Sequence, residues 1–220
     1  MTDRWASFDC YGTLVDWNGG IRGELERLWP ASGSDELLER YHEIEPRVQL
    51  DGSLPYREVL TQSLRLLAES EGLDLAPDEE DALPRSLPSW PAFPEVRREL
   101  DDLRSRGWRL AVLSNSDPDL LGASLERLGV EIDRRVTADV AGSYKPAHGH
   151  WLRFFELEGV DRARHVHVAA SPFHDLAPCA ELGIPAVWIN RRGEESPLPR
   201  AAELPDLRGL ADALDAAARA

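Results

Sequence analysis

The sequence predicts an α/β fold, a Rossmann-like parallel sheet core with an inserted all-helical domain. Three observations predict it. A short apolar run over residues 4–8 stops at Asp9 and is followed by a tight turn with Gly12 and Thr13, the pattern of a buried first strand ending in a carboxylate. Residues 17–90 carry helical patterning only. From Pro94 onward, strand-like apolar runs alternate with helical stretches, the order that builds parallel strands with right-handed crossovers. The expected division is a core of residues 1–16 and 91–220, with residues 17–90 inserted as a separate helical domain.

Within the insertion, helices are expected near 19–29, 35–48, 56–71 and 77–87. Pro30 with Gly33, Gly52 with Pro55, and Gly72 to Pro77 separate them, and Pro84, Pro88, Pro91 and Pro94 close the block. Leu37, Leu38, Tyr41, Ile44, Glu45 and Val48 fall mostly on one helical face, the spacing of a packed amphipathic element. The core then runs helix 94–106, strand 108–114, helix 118–128, a strand near 134–138, helix 146–157 and strand 165–170. A helix near 174–182, a strand 185–190 and a final helix 207–219 complete it.

Composition limits the function classes. The 220 residues include 42% hydrophobic and 30% charged residues, which suits a folded domain and not a disordered chain. A net charge of -15 opposes nucleic-acid binding, which needs a local excess of Lys and Arg. No apolar run approaches the roughly 20 residues of a membrane span. Asp3 and Arg4 stand where a secretory leader would be apolar, and Cys10 and Cys179 lie in unrelated contexts; a reducing cytoplasmic compartment is the expectation. A homodimer stays open beside a monomer. Lysine occurs once, at Lys145, so in an acidic chain its surroundings are informative.

Polar residues recur where each core strand should end. Asp9 ends the first; Ser114 and Asn115 end the second, just before a helix that starts at Pro118. Lys145 follows the third and Asp175 the fourth, at spacings of 105, 31 and 30 residues that fit one strand-helix unit per step after the insertion. Open α/β sheets build their sites at such carboxyl ends. A lysine directed between two carboxylates would keep them ionised. His165 and His167 share a strand face but read as packing residues, with a zinc pair the weaker alternative; His148 and His150 do not share a helix face, and Cys10 reads as core.

With these residues in order, the chain resembles the haloacid dehalogenase-like (HAD) hydrolase superfamily. The motifs are Phe8-Asp9-Cys10-Tyr11-Gly12-Thr13, Leu113-Ser114-Asn115, Tyr144-Lys145-Pro146, and Asp175 followed by Gly183-Ile184-Pro185. Val187-Trp188-Ile189-Asn190-Arg191 looks like the end of the (S)-2-haloacid dehalogenase branch. The resemblance implies an all-helical cap over the inserted block and a nucleophilic role for Asp9. Two positions separate the branch from magnesium-dependent phosphatases. Phosphatases of this type carry a second Asp two residues after the nucleophile, where this chain has Tyr11, and a metal-binding carboxylate four residues before the position of Asp175, where it has Ser171. Halide leaves as a stable anion and needs no general acid. The expectation is therefore a metal-independent, cofactor-free hydrolysis of short 2-haloalkanoic acids through an ester on Asp9.

The roles implied are catalytic for Asp9, Lys145 and Asp175, with Tyr11, Arg40, Ser114, Asn115 and His174 around a small anionic haloacid and the released halide. Arg40 resembles the arginine that meets the halide in this branch, and Arg47 competes for that role. The branch's Ser-Ser-Asn-x-Trp-Asp run is replaced here by Ala170-Ser171-Pro172-Phe173-His174-Asp175, which removes polar groups that would hold Asp175 and water. The alternatives are a phosphatase for a small phosphoester and a catalytically weak HAD-like binding protein.

Overall fold

The computed structural model describes residues 3–50, 52 and 54–218. The chain divides into two compact units: one of residues 1–15, 92–115 and 125–220, the other of residues 16–91 and 116–124. The segment 116–124, expected with the core, groups instead with the helical unit.

The first unit is built on six parallel strands: β1 (Arg4–Phe8), β2 (Trp108–Ser114), β3 (Arg134–Thr137), β4 (His165–Ala169), β5 (Ala186–Ile189) and β6 (Ala202–Leu204). Their order is β3-β2-β1-β4-β5-β6, so the first strand in sequence sits inside the sheet with β2 and β4 on its two sides. Phe8 lies opposite both Val112 and Val168, which brings the ends of β1, β2 and β4 into register. β1, β4 and β5 are buried almost throughout, as expected of strands covered on both faces. A cluster of Trp5, Leu113, Val136, Trp151, Phe154 and Trp188 fills the core, with Trp5 edge-on to Phe154 at 5.1 Å and 82°. β6 has no counterpart among the expected strands. It is three residues long at the sheet edge and presents no apolar run to read.

The helical unit contains α1 (Trp17–Leu28), α2 (Ser34–Gln49), α3 (Tyr56–Glu71) and α4 (Ala82–Ser86). Asp16 caps α1 through its carboxylate, which accepts from the Gly19 N–H at 2.9 Å. α2 buries Leu37, Leu38, Tyr41 and Glu45, and α3 buries Val59, Leu60, Leu64 and Leu67. The single helix expected over 77–87 is instead a 3₁₀ turn Pro77–Glu79, the short α4, and a second 3₁₀ turn Leu87–Ser89. Pro77, Pro84 and Pro88 have no N–H to donate, so no continuous ladder runs through this stretch.

The remaining helices are α5 (Val96–Ser105), α6 (Pro118–Leu128), α7 (Ala138–Ala141), α8 (Gly149–Glu158), α9 (Ala177–Leu182) and α10 (Leu210–Ala217). A π-helical turn, Pro172–Leu176, leads into α9 where one helix from 174 was expected. Among the described residues, no helix is long and apolar enough to cross a membrane.

Candidate active site

β1 delivers Asp9 to the carboxyl end of the sheet, where its N–H donates to the Val168 carbonyl at 3.0 Å. The chain then turns sharply: the Cys10 carbonyl accepts from the N–H groups of Thr13, Leu14 and Val15, and Gly12 takes φ +87, a conformation that suits glycine. The turn returns Thr13 towards the strand end, so that its hydroxyl donates to Asp9 Oδ2 at 2.9 Å and accepts from the Ala170 N–H at 3.0 Å. Thr13 therefore ties the nucleophile candidate to the end of β4.

Lys145 reaches the same place from the loop between α7 and α8. Its Nζ donates to Asp9 Oδ1 at 2.7 Å, to Asp175 Oδ1 at 2.8 Å and to the Leu113 carbonyl at 3.0 Å, which uses all three ammonium hydrogens. Its side chain is 2% exposed and that of Asp175 1%, against 13% for Asp9, so Asp9 is the carboxylate open to a substrate. Burial opposes the charge on Lys145, but Asp175 and Asp9 outweigh it and hold the ammonium above its usual range. Burial likewise opposes ionisation of Asp175, and Lys145 followed by His167 overcomes it, holding the carboxyl well below the usual carboxylate range.

Asn115 is spent on Lys145. Its Oδ1 accepts from the Lys145 N–H at 2.6 Å and its Nδ2 donates to the Lys145 carbonyl at 3.1 Å, a two-sided clamp on the loop. Ser114 closes β2 and is buried, its carbonyl accepting from His150 Nε2 at 3.1 Å. Tyr11 is half-buried in the turn after β1. His174 stands beside Asp175 in the π-helical turn, where its N–H donates to Ser171 Oγ at 3.1 Å and its Nδ1 lies 3.2 Å from the same hydroxyl. Burial lowers the His174 pKa despite the nearby Asp175 carboxylate.

Arg40 lies in α2 of the helical unit, exposed, with Glu43 at 3.3 Å and Glu71 at 3.7 Å as ion-pair partners. Arg47 is exposed on the same helix. Cys10 is fully buried, and burial pushes its thiol well above the ordinary value.

Two contributors were not assigned a role from sequence. Thr13 was visible only as part of a turn. His167 was read as packing, yet its Nε2 is 3.0 Å from Asp175 Oδ1. The signal for His167 was the strand alternation that put it on one face with His165; that Asp175, 8 residues on, turns back to meet it was not legible.

The donor set suits an ammonium better than a divalent cation, which needs several available oxygens. Asp175 already gives Oδ1 to both Lys145 and His167, and position 171 brings a neutral hydroxyl. Among the described residues, no cluster of three or more His, Cys, Asp or Glu side chains is arranged to hold a metal.

A family model for haloacid dehalogenase-like hydrolases matches residues 4–183. Haloacetate dehalogenase H-2 of Moraxella sp. (strain B) is 29% identical over 193 residues, with 85% of each chain covered. An (S)-2-haloacid dehalogenase of Pseudomonas sp. (strain YL) is 28% identical over 221 residues, covering 96% of this chain and 94% of its own. A crystal structure of an L-2-haloacid dehalogenase superposes with a TM-score of 0.87 at 25% identity, covering 98% of this chain and 100% of that one. The match spans both the sheet core and the inserted helices, and this chain belongs to the haloacid dehalogenase-like hydrolase family.

Proposed function

We propose that the protein hydrolyses short 2-haloalkanoic acids through an ester on Asp9, without a metal ion. The observation that carries this reading is one ammonium bridging two carboxylates, Asp9 at 2.7 Å and Asp175 at 2.8 Å, with no further acid at Tyr11 or Ser171. The naming of the relatives as haloacetate and 2-haloacid dehalogenases supports it.

In the first half-reaction an Asp9 oxygen attacks the carbon bearing halogen, forming a carbon–oxygen bond as the carbon–halogen bond breaks and halide leaves with the electron pair. Lys145 and Thr13 each occupy one Asp9 oxygen and so fix the carboxylate while leaving lone pairs for attack. Ser114 and the N–H groups that follow it anchor the substrate carboxylate, and Tyr11 lines the substrate side. Asn115 acts through its clamp on Lys145, and its second amide hydrogen remains for substrate. Arg40 is assigned to the leaving halide by its resemblance to the arginine of this branch, and His174 offers a neutral ring beside Asp175.

In the second half-reaction water gives a proton to Asp175 and its oxygen adds to the Asp9 acyl carbon. Collapse of the tetrahedral adduct expels the 2-hydroxyacid alkoxide, which takes the proton back from Asp175. The regenerated Asp9 carries the water oxygen and loses its proton to solvent. Lys145 stabilises the negative charge that develops at Asp9.

The test is halide release from chloro-, bromo- and fluoroacetate and (S)-2-chloropropionate in the presence of a chelator. Asp9→Asn is expected to lower turnover by about 10⁴-fold or more. One turnover in heavy-oxygen water is expected to leave label in the Asp9 carboxylate. Magnesium-dependent phosphate release from a small ester, with no halide from any of these acids, would overturn the reading.

A further inference from the structure

Behind Asp175, three polar side chains that the reaction above leaves unused run back into the sheet. His167 Nε2 lies 3.0 Å from Asp175 Oδ1, His167 Nδ1 lies 2.7 Å from Ser7 Oγ, and the same hydroxyl lies 2.7 Å from His165 Nε2. Ser7 on β1 is the register partner of His167 on β4, and the two-residue alternation puts His165 on the same face. All three are buried. Trp151 packs edge-on to the His167 ring at 5.3 Å, and Phe154 and Phe155 flank His165 at 5.5 and 5.2 Å, so both imidazoles are confined.

Counting donors orients the chain. The Asp175 carboxylate accepts only, so His167 must carry its hydrogen on Nε2. In the neutral ring Nδ1 then accepts from the Ser7 hydroxyl, and Ser7 Oγ accepts from His165 Nε2–H. His165 Nδ1 is a buried nitrogen with no hydrogen-bond partner among the described residues, which ends the chain. At the other end, Lys145 and His167 both donate to Asp175 Oδ1, and Asp175 Oδ2 has no partner among the described residues.

We propose that His167, backed by Ser7 and His165, is a positioning residue for Asp175 in the hydrolytic half-reaction. The inference rests on the ester route above. Lys145 alone would leave the carboxylate free to pivot about one contact; a second donor on the same oxygen fixes its rotamer and directs Oδ2 to the water. His167 gives this support from the strand beneath Asp175. Because the chain ends at His165, a proton taken by Asp175 has no exit into the interior and returns to the departing alkoxide.

The experiment compares His167→Leu with His167→Gln, whose amide can stand in for the Nε2 donor. His167→Leu is expected to keep its first-turnover halide burst and kcat/KM while kcat and KM fall together by about 10- to 100-fold, the scale of a misplaced catalytic group. Intact mass should then show the Asp9 ester as the dominant species, and His167→Gln should restore most of the turnover. Should His167→Leu not fold, Ser7→Ala takes its place, with the same direction and a smaller effect. A second readout needs no activity: nitrogen-15 NMR of the resting protein is expected to show His167 protonated at Nε2 and not at Nδ1. The opposite tautomer, an unchanged kcat, or equal loss of the halide burst and ester hydrolysis overturns the role of His167 alone. Absence of any ester or halide from the unsubstituted protein overturns the reaction and this role together.

Discussion

Thr13 occupies a position where one buried hydroxyl serves two neighbours, Asp9 Oδ2 and the partly buried Ala170 N–H. Valine has the same shape and neither hydrogen-bonding function. Thr13→Val is expected to cost about 2 kcal/mol of stability, chiefly through the orphaned Ala170 N–H, since Asp9 is partly open to water. Chemical denaturation measures this, and a change below about 0.5 kcal/mol would contradict it. Asp9, Lys145 and Asp175 were legible as residues because each is a charged group at the end of an apolar run. Thr13 and His167 were not, because a hydroxyl in a turn and a histidine in a strand have ordinary structural uses, and only their partners distinguish them.

At the scale of elements, proline and glycine explain where the structure departs from the expected boundaries. Prolines break the stretch 77–89 into three short pieces, and Pro172 opens a π-helical turn before α9. Within that turn the backbone N–H of Asp175 donates to the Ser171 carbonyl at 3.2 Å. In the helical unit, α1 approaches Trp90 at Gly20, where a Cβ would lie 2.3 Å from the indole ring. Gly20→Ala regains about 1 kcal/mol of helix propensity but overpacks the contact by about 3 kcal/mol, for a net loss of about 2 kcal/mol. Urea denaturation should show this loss, and a stabilised variant would refute the close approach.

For the whole molecule, buried titratable groups set the pH range of stability. His150 and His165 are held near 3, burial being the largest cause for both. Between pH ~6.5 and 3 the unfolded chain binds two protons that the folded chain refuses, so stability should fall by up to about 2.7 kcal/mol per pH unit. Asp175 adds to the loss at the acid end: its depressed value contributes stability above pH ~4 that disappears as pH falls through the folded value. Lys145 acts oppositely, contributing stability below pH ~10.4 that is lost as pH rises through its raised value. Unfolding free energies from pH 7 to 4 should therefore drop by several kcal/mol, and a flat profile would sink this account.

The alternation of strands and helices, the helical insertion and the polar strand ends were determined by sequence, because hydrophobic period and turn residues act locally. Residues 4–8 and 165–169 could be read as strands in isolation. That they lie side by side, with Ser7 opposite His167, is a matter of register between segments about 160 residues apart in the chain. Tertiary structure alone decided which face His167 shares with Asp175, that Asn115 clamps the Lys145 backbone, and that segment 116–124 groups with the helical unit. Hydrogen bonds between distant segments depend on sheet order and strand ends, and neither is encoded in the local pattern of a single element.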